Sequence, residues 1–171
     1  MRPEAKLRKK FSRFIPQRDE SGGLIYPITV SSSLLILNLG DIEVERPAYH
    51  TERNIFPIGF KSIREHISVF SPPERMQYLC EILDGGSKPL FRVTPMKDGE
   101  AVEEQSIERD SCTGCWIVIC TKINELQKSR RSKVTVSGTE RFGLWDSNVV
   151  SLIHELPGAS LLVRAETAEP S

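Results

Sequence analysis

The chain has no long apolar run. Its longest, Leu34 to Leu39 and Trp116 to Cys120, match a strand or a buried turn of helix and fall far short of the roughly 20 residues that a membrane span requires. It opens Met-Arg-Pro-Glu with no apolar h-region, so no secretory signal is expected, and the four cysteines are expected as thiols in a reducing intracellular compartment. The sequence patterns of catalysis are missing as well: there is no P-loop, GxGxxG, HExxH or GxSxG. His50, His66 or His154 could each serve a cysteine as base, but no cysteine lies in a local nucleophile motif, and an enzyme is not expected. Cys112-x2-Cys115 followed by Cys120 lacks the second ligand pair of a structural zinc site. His154 could in principle complete it, but Cys120 falls on an apolar face where a thiol acts as a small hydrophobe. No metal or cofactor is expected. Nor does any segment repeat at a fixed period.

What is present describes an ordinary folded domain. The 171 residues are 39% hydrophobic and 27% charged, enough to bury one core without staples. The net charge is zero, 23 basic against 23 acidic residues, but it is unevenly spread. Residues 1–23 read as a flexible basic arm carrying Arg2, Lys6, Arg8, Lys9, Lys10 and Arg13, and a second cluster holds Lys128, Arg130, Arg131 and Lys133. Such clusters can contact phosphates or direct nuclear import, because lysine and arginine neutralise phosphate charge and release counterions. The plainer alternative is a solvated arm and a solvated loop.

Residues 24–165 read as one domain and 166–171 as a frayed tail. Strand-type runs cover Leu24–Val30, Leu34–Leu39, Ile63–Phe70, Met76–Leu83 and Pro89–Val93, with Asp84-Gly85-Gly86-Ser87 a strong hairpin signal. Tyr49 to Phe60, YHTERNIFPIGF, reads as a kinked strand in which Pro57 and Gly59 bend the sheet. A valine at Gly59 would crowd that bend. Met96 to Glu104 reads as a loop or an edge. The period then changes: Trp116, Ile119, Cys120, Ile123 and Leu126 share one helical face, with Asp110 or Ser111 as N-cap, so a helix is expected over 112–128. Ser137-Gly138 reads as a turn and Phe142 to Trp145 as an apolar connector. Asp146 or Ser147 caps a second helix whose buried face is Val149, Val150, Leu152, Ile153 and Leu156, stopped by Pro157-Gly158. The expected class is α+β, an antiparallel sheet of about six strands followed by two helices packed on it.

Two patches resemble a known family. Tyr49-His50, IFPIGF, Ser62-Ile63-Arg64, YLCEI at 78–82 and PLFRV at 89–93 resemble FYRN, the amino-terminal half of the FYR domain, over about 49–95. Trp116 with its helix, SGTERFGL at 137–144, the Val149–Ile153 segment and LPGA at 156–159 resemble its partner FYRC, over about 111–162. FYR halves occur in trithorax-type SET-domain histone methyltransferases, some plant jumonji demethylases and the transforming-growth-factor-beta regulator family of nuclear proteins. YPITV, LLILNLGDI and Arg46-Pro47 favour the last. The resemblance implies one α+β module and a non-enzymatic nuclear interaction role in chromatin-associated, transcription or cell-cycle regulatory complexes. It marks Tyr49, His50, Phe56, Pro57, Gly59, Phe60, Arg64, Tyr78, Trp116, Phe142, Gly143, Pro157 and Gly158 as motif residues. The expected partners are nuclear proteins acting through protein binding, with direct nucleic-acid contact by the two basic clusters as the alternative. His50 is expected to hold a turn by bonding a backbone carbonyl, Arg64 to pair with an acidic neighbour such as Glu81, and Phe56, Phe60, Tyr78, Phe91, Trp116 and Phe142 to be core candidates.

Overall fold

A computed structural model describes residues 14–128 and 134–162. Within them the strand-type segments form one antiparallel sheet of β1 (Ile28–Ser31), β2 (Leu34–Asn38), β3 (Lys61–Ile67), β4 (Arg75–Leu83), β5 (Leu90–Lys97), β6 (Glu100–Ala101) and β7 (Ile107–Arg109). The first five lie in sequence order, and β6 and β7 both pair with β5, at its two ends. Three helices follow: α1 (Cys112–Leu126), α2 (Gly138–Phe142) and α3 (Ser147–His154), and residues 159–162 are helical again. The class is α+β, strands first and helices after, as periodicity predicts.

The differences are local. β7 shows too little alternation in three residues to be read from sequence, and it is defined by its pairing with Phe91, Arg92 and Val93. α2 replaces the expected turn and connector. At five residues it is too short to display a period, and its ends make it: Ser137 accepts the Glu140 N–H, and Gly143 closes it with φ +91°. The buried stripe of α1 is Cys112, Cys115, Trp116, Ile119 and Ile123, beginning a turn earlier than expected, while Leu126 is exposed. Ser111 caps α1 through the Gly114 N–H, and Asp146 caps α3 through Asn148 and Val149.

Helices cover one face of the sheet. One register row on that face runs Ile28, Ile36, Ser62, Cys80, Val93 and Ile107. β3 inverts the usual pattern, since its buried side carries Ser62 and Arg64 while Ile63 lies on the other.

Tyr49 to Phe60 is not a kinked strand. Pro47–Tyr49 form a 3-10 turn, and the rest is tied by isolated bridges, His50 to Ile55 and Asp41 to Ile58. The stretch joins the sheet at its end, where the Gly59 N–H donates to Ile82 O at 2.8 Å and Phe60 O accepts the Ile82 N–H at 3.0 Å. Gly59 has φ +89°, but a Cβ there would meet only Gly40 Cα at 3.8 Å, so its demand for glycine is conformational and the expected crowding is absent. The crowded position is Gly40, at φ +77°, where a Cβ would stand 2.6 Å from Ile58 O and Phe60 N.

Candidate binding site

The motif residues divide into anchors, latches and core. Tyr49 is buried, and its hydroxyl lies 3.0–3.2 Å from Asp84 Oδ1, Gly86 O and Lys88 O while accepting the Gly85 N–H. The Arg46 guanidinium sits 4.6 Å over the Tyr49 ring and pairs with Asp84 at 2.8 Å. The 3-10 turn is thereby pinned to the β4–β5 hairpin. Hydrogen bonds from Arg46, then from the Gly86 N–H, hold the Asp84 carboxyl well below the usual carboxylate range. Burial pushes the Tyr49 hydroxyl up.

Arg64 does pair with an acidic side chain, but it is Glu140, at 3.7 Å, and not Glu81. The side chains of Arg64 and Glu81 lie on opposite faces of the sheet, and Glu81 takes Arg92 instead, at 3.1 Å. Arg64 Nε donates to Arg141 O and Nη2 to Glu140 O, both at 2.8 Å, and Nη1 donates to Ser33 Oγ at 3.2 Å. Ser62 Oγ donates to Phe142 O at 2.7 Å. Those three carbonyls close the last turn of α2, where the Gly143 N–H reaches Glu140 O at 2.9 Å and the Arg141 and Phe142 carbonyls take their donors from β3. A polar inner edge of β3 therefore latches the sheet to α2.

Phe60, Tyr78, Phe91, Trp116 and Phe142 are buried, and Phe56 is half-buried against Phe91 with ring centroids 5.2 Å apart. Tyr78 meets Trp116 at 5.1 Å and Phe91 meets Phe142 at 5.8 Å, both edge to face. Pro157 and Gly158 form the turn before the helical residues 159–162, with Gly158 at φ +93° beside Val44. His50 Nδ1 is buried with no hydrogen-bond partner among the described residues, so the expected carbonyl bond is not made through that atom. Cys115 Sγ donates to Phe91 O, and Cys120 Sγ lies 3.8 Å from His66 Nε2. Burial raises all four thiols above their usual value and lowers His66 to about 4. Among the described residues, no three His, Cys, Asp or Glu side chains are set to hold a metal ion. Lys6, Arg8, Lys9, Lys10, Arg130 and Arg131 lie outside the described residues.

The motif residues leave little aromatic surface, and the concave site lies beside them. The loop 50–55 faces Leu144, α3 and Leu162 across a cleft. Its floor is aliphatic, from Ile55, Leu144, Val150, Ile153 and Leu162, and its rim is polar, from His50 through Asn54 on one side and His154 on the other. The loop is preshaped: Thr51 Oγ1 accepts the Arg53 and Asn54 N–H groups, and Thr51 N–H donates to Asn54 O. Trp145, which is 51% exposed, donates its indole N–H to Asn54 Oδ1 at 2.9 Å. Sequence reasoning missed this site. The signal was a tryptophan directly before a helix cap, where an apolar connector has no need of one.

Comparison with known proteins places both halves. Residues 25–85 match the family model for the F/Y-rich N-terminus, FYRN, and residues 88–164 match that for the F/Y rich C-terminus, FYRC. The division falls between β4 and β5, so PLFRV goes with the second half and the two halves share one sheet. The cleft likewise has one wall from each. Transforming growth factor beta regulator 1 of Xenopus tropicalis is 31% identical over 141 residues, 82% of this chain and 33% of its own length. The human protein of that name is 30% identical over the same share. Histone-lysine N-methyltransferase trr of Drosophila melanogaster is 30% identical over 76% of this chain, but only 6% of its own length. The chain thus spans about a third of the regulator relatives, and the part of the methyltransferase it matches is the FYR region.

Proposed function

This chain belongs to the FYR-domain family, and from that premise we propose that it is a non-enzymatic protein-binding module of nuclear, chromatin-associated complexes that regulate transcription or the cell cycle. The binding element is the cleft between the halves. One observation carries the reading: an aliphatic floor walled by both halves, with a half-exposed tryptophan hydrogen-bonded to Asn54 of its lining. Tryptophan in such a place offers large contact area at little entropic cost and is the residue type most often found to dominate binding energy. The charged residues of the lining are one arginine and one glutamate, so it lacks the run of cations that phosphate contact requires. The names of the relatives, a growth-factor regulator and histone methyltransferases, agree with a regulatory nuclear setting.

The test is affinity capture from nuclear extract with the wild-type chain, Trp145→Ala and Val150→Arg. Wild type should retain chromatin or transcription proteins, and both variants should lose at least about tenfold of that recovery, a cost typical of a binding hot spot. Their melting temperatures should stay close to that of wild type, since both side chains border solvent. Undiminished capture by both variants would remove the cleft from the reading.

A further inference from the structure

The face of the sheet turned away from the helices carries an ordered set of side chains that the cleft does not use. Register aligns four consecutive strands, β3, β4, β5 and β7, so that Lys61, Glu81, Arg92 and Glu108 form one row across that face. Their signs alternate. Neighbours pair at 3.9 Å (Lys61–Glu81), 3.1 Å (Glu81–Arg92) and 3.5 Å (Arg92–Glu108). On one side of the row lie Leu35, Ile63, Leu79 and Thr94, and on the other the Leu83–Leu90 pair. The five aliphatic residues are half-buried and stand outside the core cluster, and among the described residues no helix lies over them.

We infer that this face docks a second copy of the chain about a two-fold axis that runs along the strands between β4 and β5. Charge complementarity selects that occupant. A two-fold axis along the strands preserves the level of each residue and exchanges β4 with β5 and β3 with β7. Lys61 then opposes Glu108 of the second copy, both 48% exposed, and this outer pair makes the contact. Glu81, with its side chain only 7% exposed, lies level with Arg92 of the second copy, so the alternating row meets itself with every sign reversed. At the next level the same operation sets Leu83 against Leu90. A partner of strong net charge would find no counterpart here, because the row is already neutral within one chain. Aligned sheet packing tolerates the angle that the twist of each sheet imposes, and an isologous interface needs this kind of self-complementarity. The inference goes beyond the protein-binding reading. Its consequence is two cleft copies on one particle, which raises the apparent affinity for a partner with two binding segments.

Sedimentation of the full chain between about 1 and 200 μM, the range in which modest interfaces associate, reads the monomer–dimer equilibrium. Wild type should dimerise. Lys61→Glu and Glu108→Lys change side chains that are each 48% exposed, so both variants should fold, and each alone should weaken dimerisation at least about tenfold by placing like charges opposite one another. Mixed in equal amounts they should form a heterodimer within about threefold of wild-type affinity, since every opposed pair is again of opposite sign. Leu90→Lys, on the axis and away from the charged row, should weaken self-association as well. A wild-type chain that stays monomeric over the whole range would overturn the inference and leave the face to another partner. Single variants that dimerise like wild type, or a mixture that does not recover, would overturn it equally.

Discussion

Gly40 and Gly59 face each other across the entry to the sheet, and both have positive φ, but they need glycine for different reasons. At Gly59 only the left-handed backbone resists a side chain; at Gly40 the space is also taken by Ile58 O and Phe60 N. Gly59→Ala should cost about 1–2 kcal/mol and remain folded, whereas Gly40→Ala should cost clearly more, about 3 kcal/mol or above. Urea unfolding of the two variants checks the order, and a reversed order would mean that the strand entry is held by something other than this contact. Asp84 is the second residue with a readable consequence. Its carboxyl is held below the usual value in the folded chain, chiefly by Arg46, so the unfolded chain takes up a proton first as pH falls. The stabilisation is fully present above the ordinary value of 3.8 and is lost progressively below it. Arg46→Met should flatten that acid limb, measured as the urea midpoint from about pH 6 down to about pH 2. An unchanged limb would assign the acid sensitivity to other carboxylates.

The β3–α2 contact shows how an element too short to be stable alone becomes part of the fold. Five residues of helix have few internal hydrogen bonds, so α2 depends on Ser137 at its start, Gly143 at its end and the donors of Ser62 and Arg64 beneath its last carbonyls. Arg64→Lys keeps the charge but not the planar fork, and lysine cannot reach two carbonyls and Ser33 at once. The substitution should cost about 2–3 kcal/mol, chiefly through the Arg141 carbonyl left unpaired. Hydrogen exchange should show the amides around residues 137–144 opening first. Uniform loss of protection across the chain would instead show that α2 has no stability of its own to lose.

The two halves cannot be separated without breaking a β4–β5 ladder, since the family boundary falls between these paired strands. The domain should therefore unfold as one unit. The two tryptophans allow a direct test, because Trp116 is fully buried on the inner side of α1 and Trp145 is half-exposed, bonded to Asn54 of the cleft loop. In Trp145→Phe, fluorescence reports the core alone, and its urea transition should coincide with that of far-ultraviolet circular dichroism. Separate midpoints would mean that a part of the chain opens independently, and the single-domain proposal for 24–165 would fall.

Local chemistry determined the elements. Strand-type runs of β-branched, aromatic and apolar residues marked β1 to β5, the glycine-rich hairpin set the β4–β5 neighbours, and caps with a change of period placed α1 and α3, because these signals act over a few residues and are written along the chain. The family was legible for the same reason, as short motifs in order. Tertiary structure alone decided which side of β3 is inside, since Ser62 and Arg64 are buried only because α2 offers them carbonyls some 80 residues away in sequence. It likewise decided that Glu81 belongs to the face away from the helices with Arg92, and that loop 50–55 meets Leu144, α3 and Leu162 to form a cleft, with Trp145 bonded to Asn54 beside it. Such pairings depend on long-range register and burial, and no local pattern carries them.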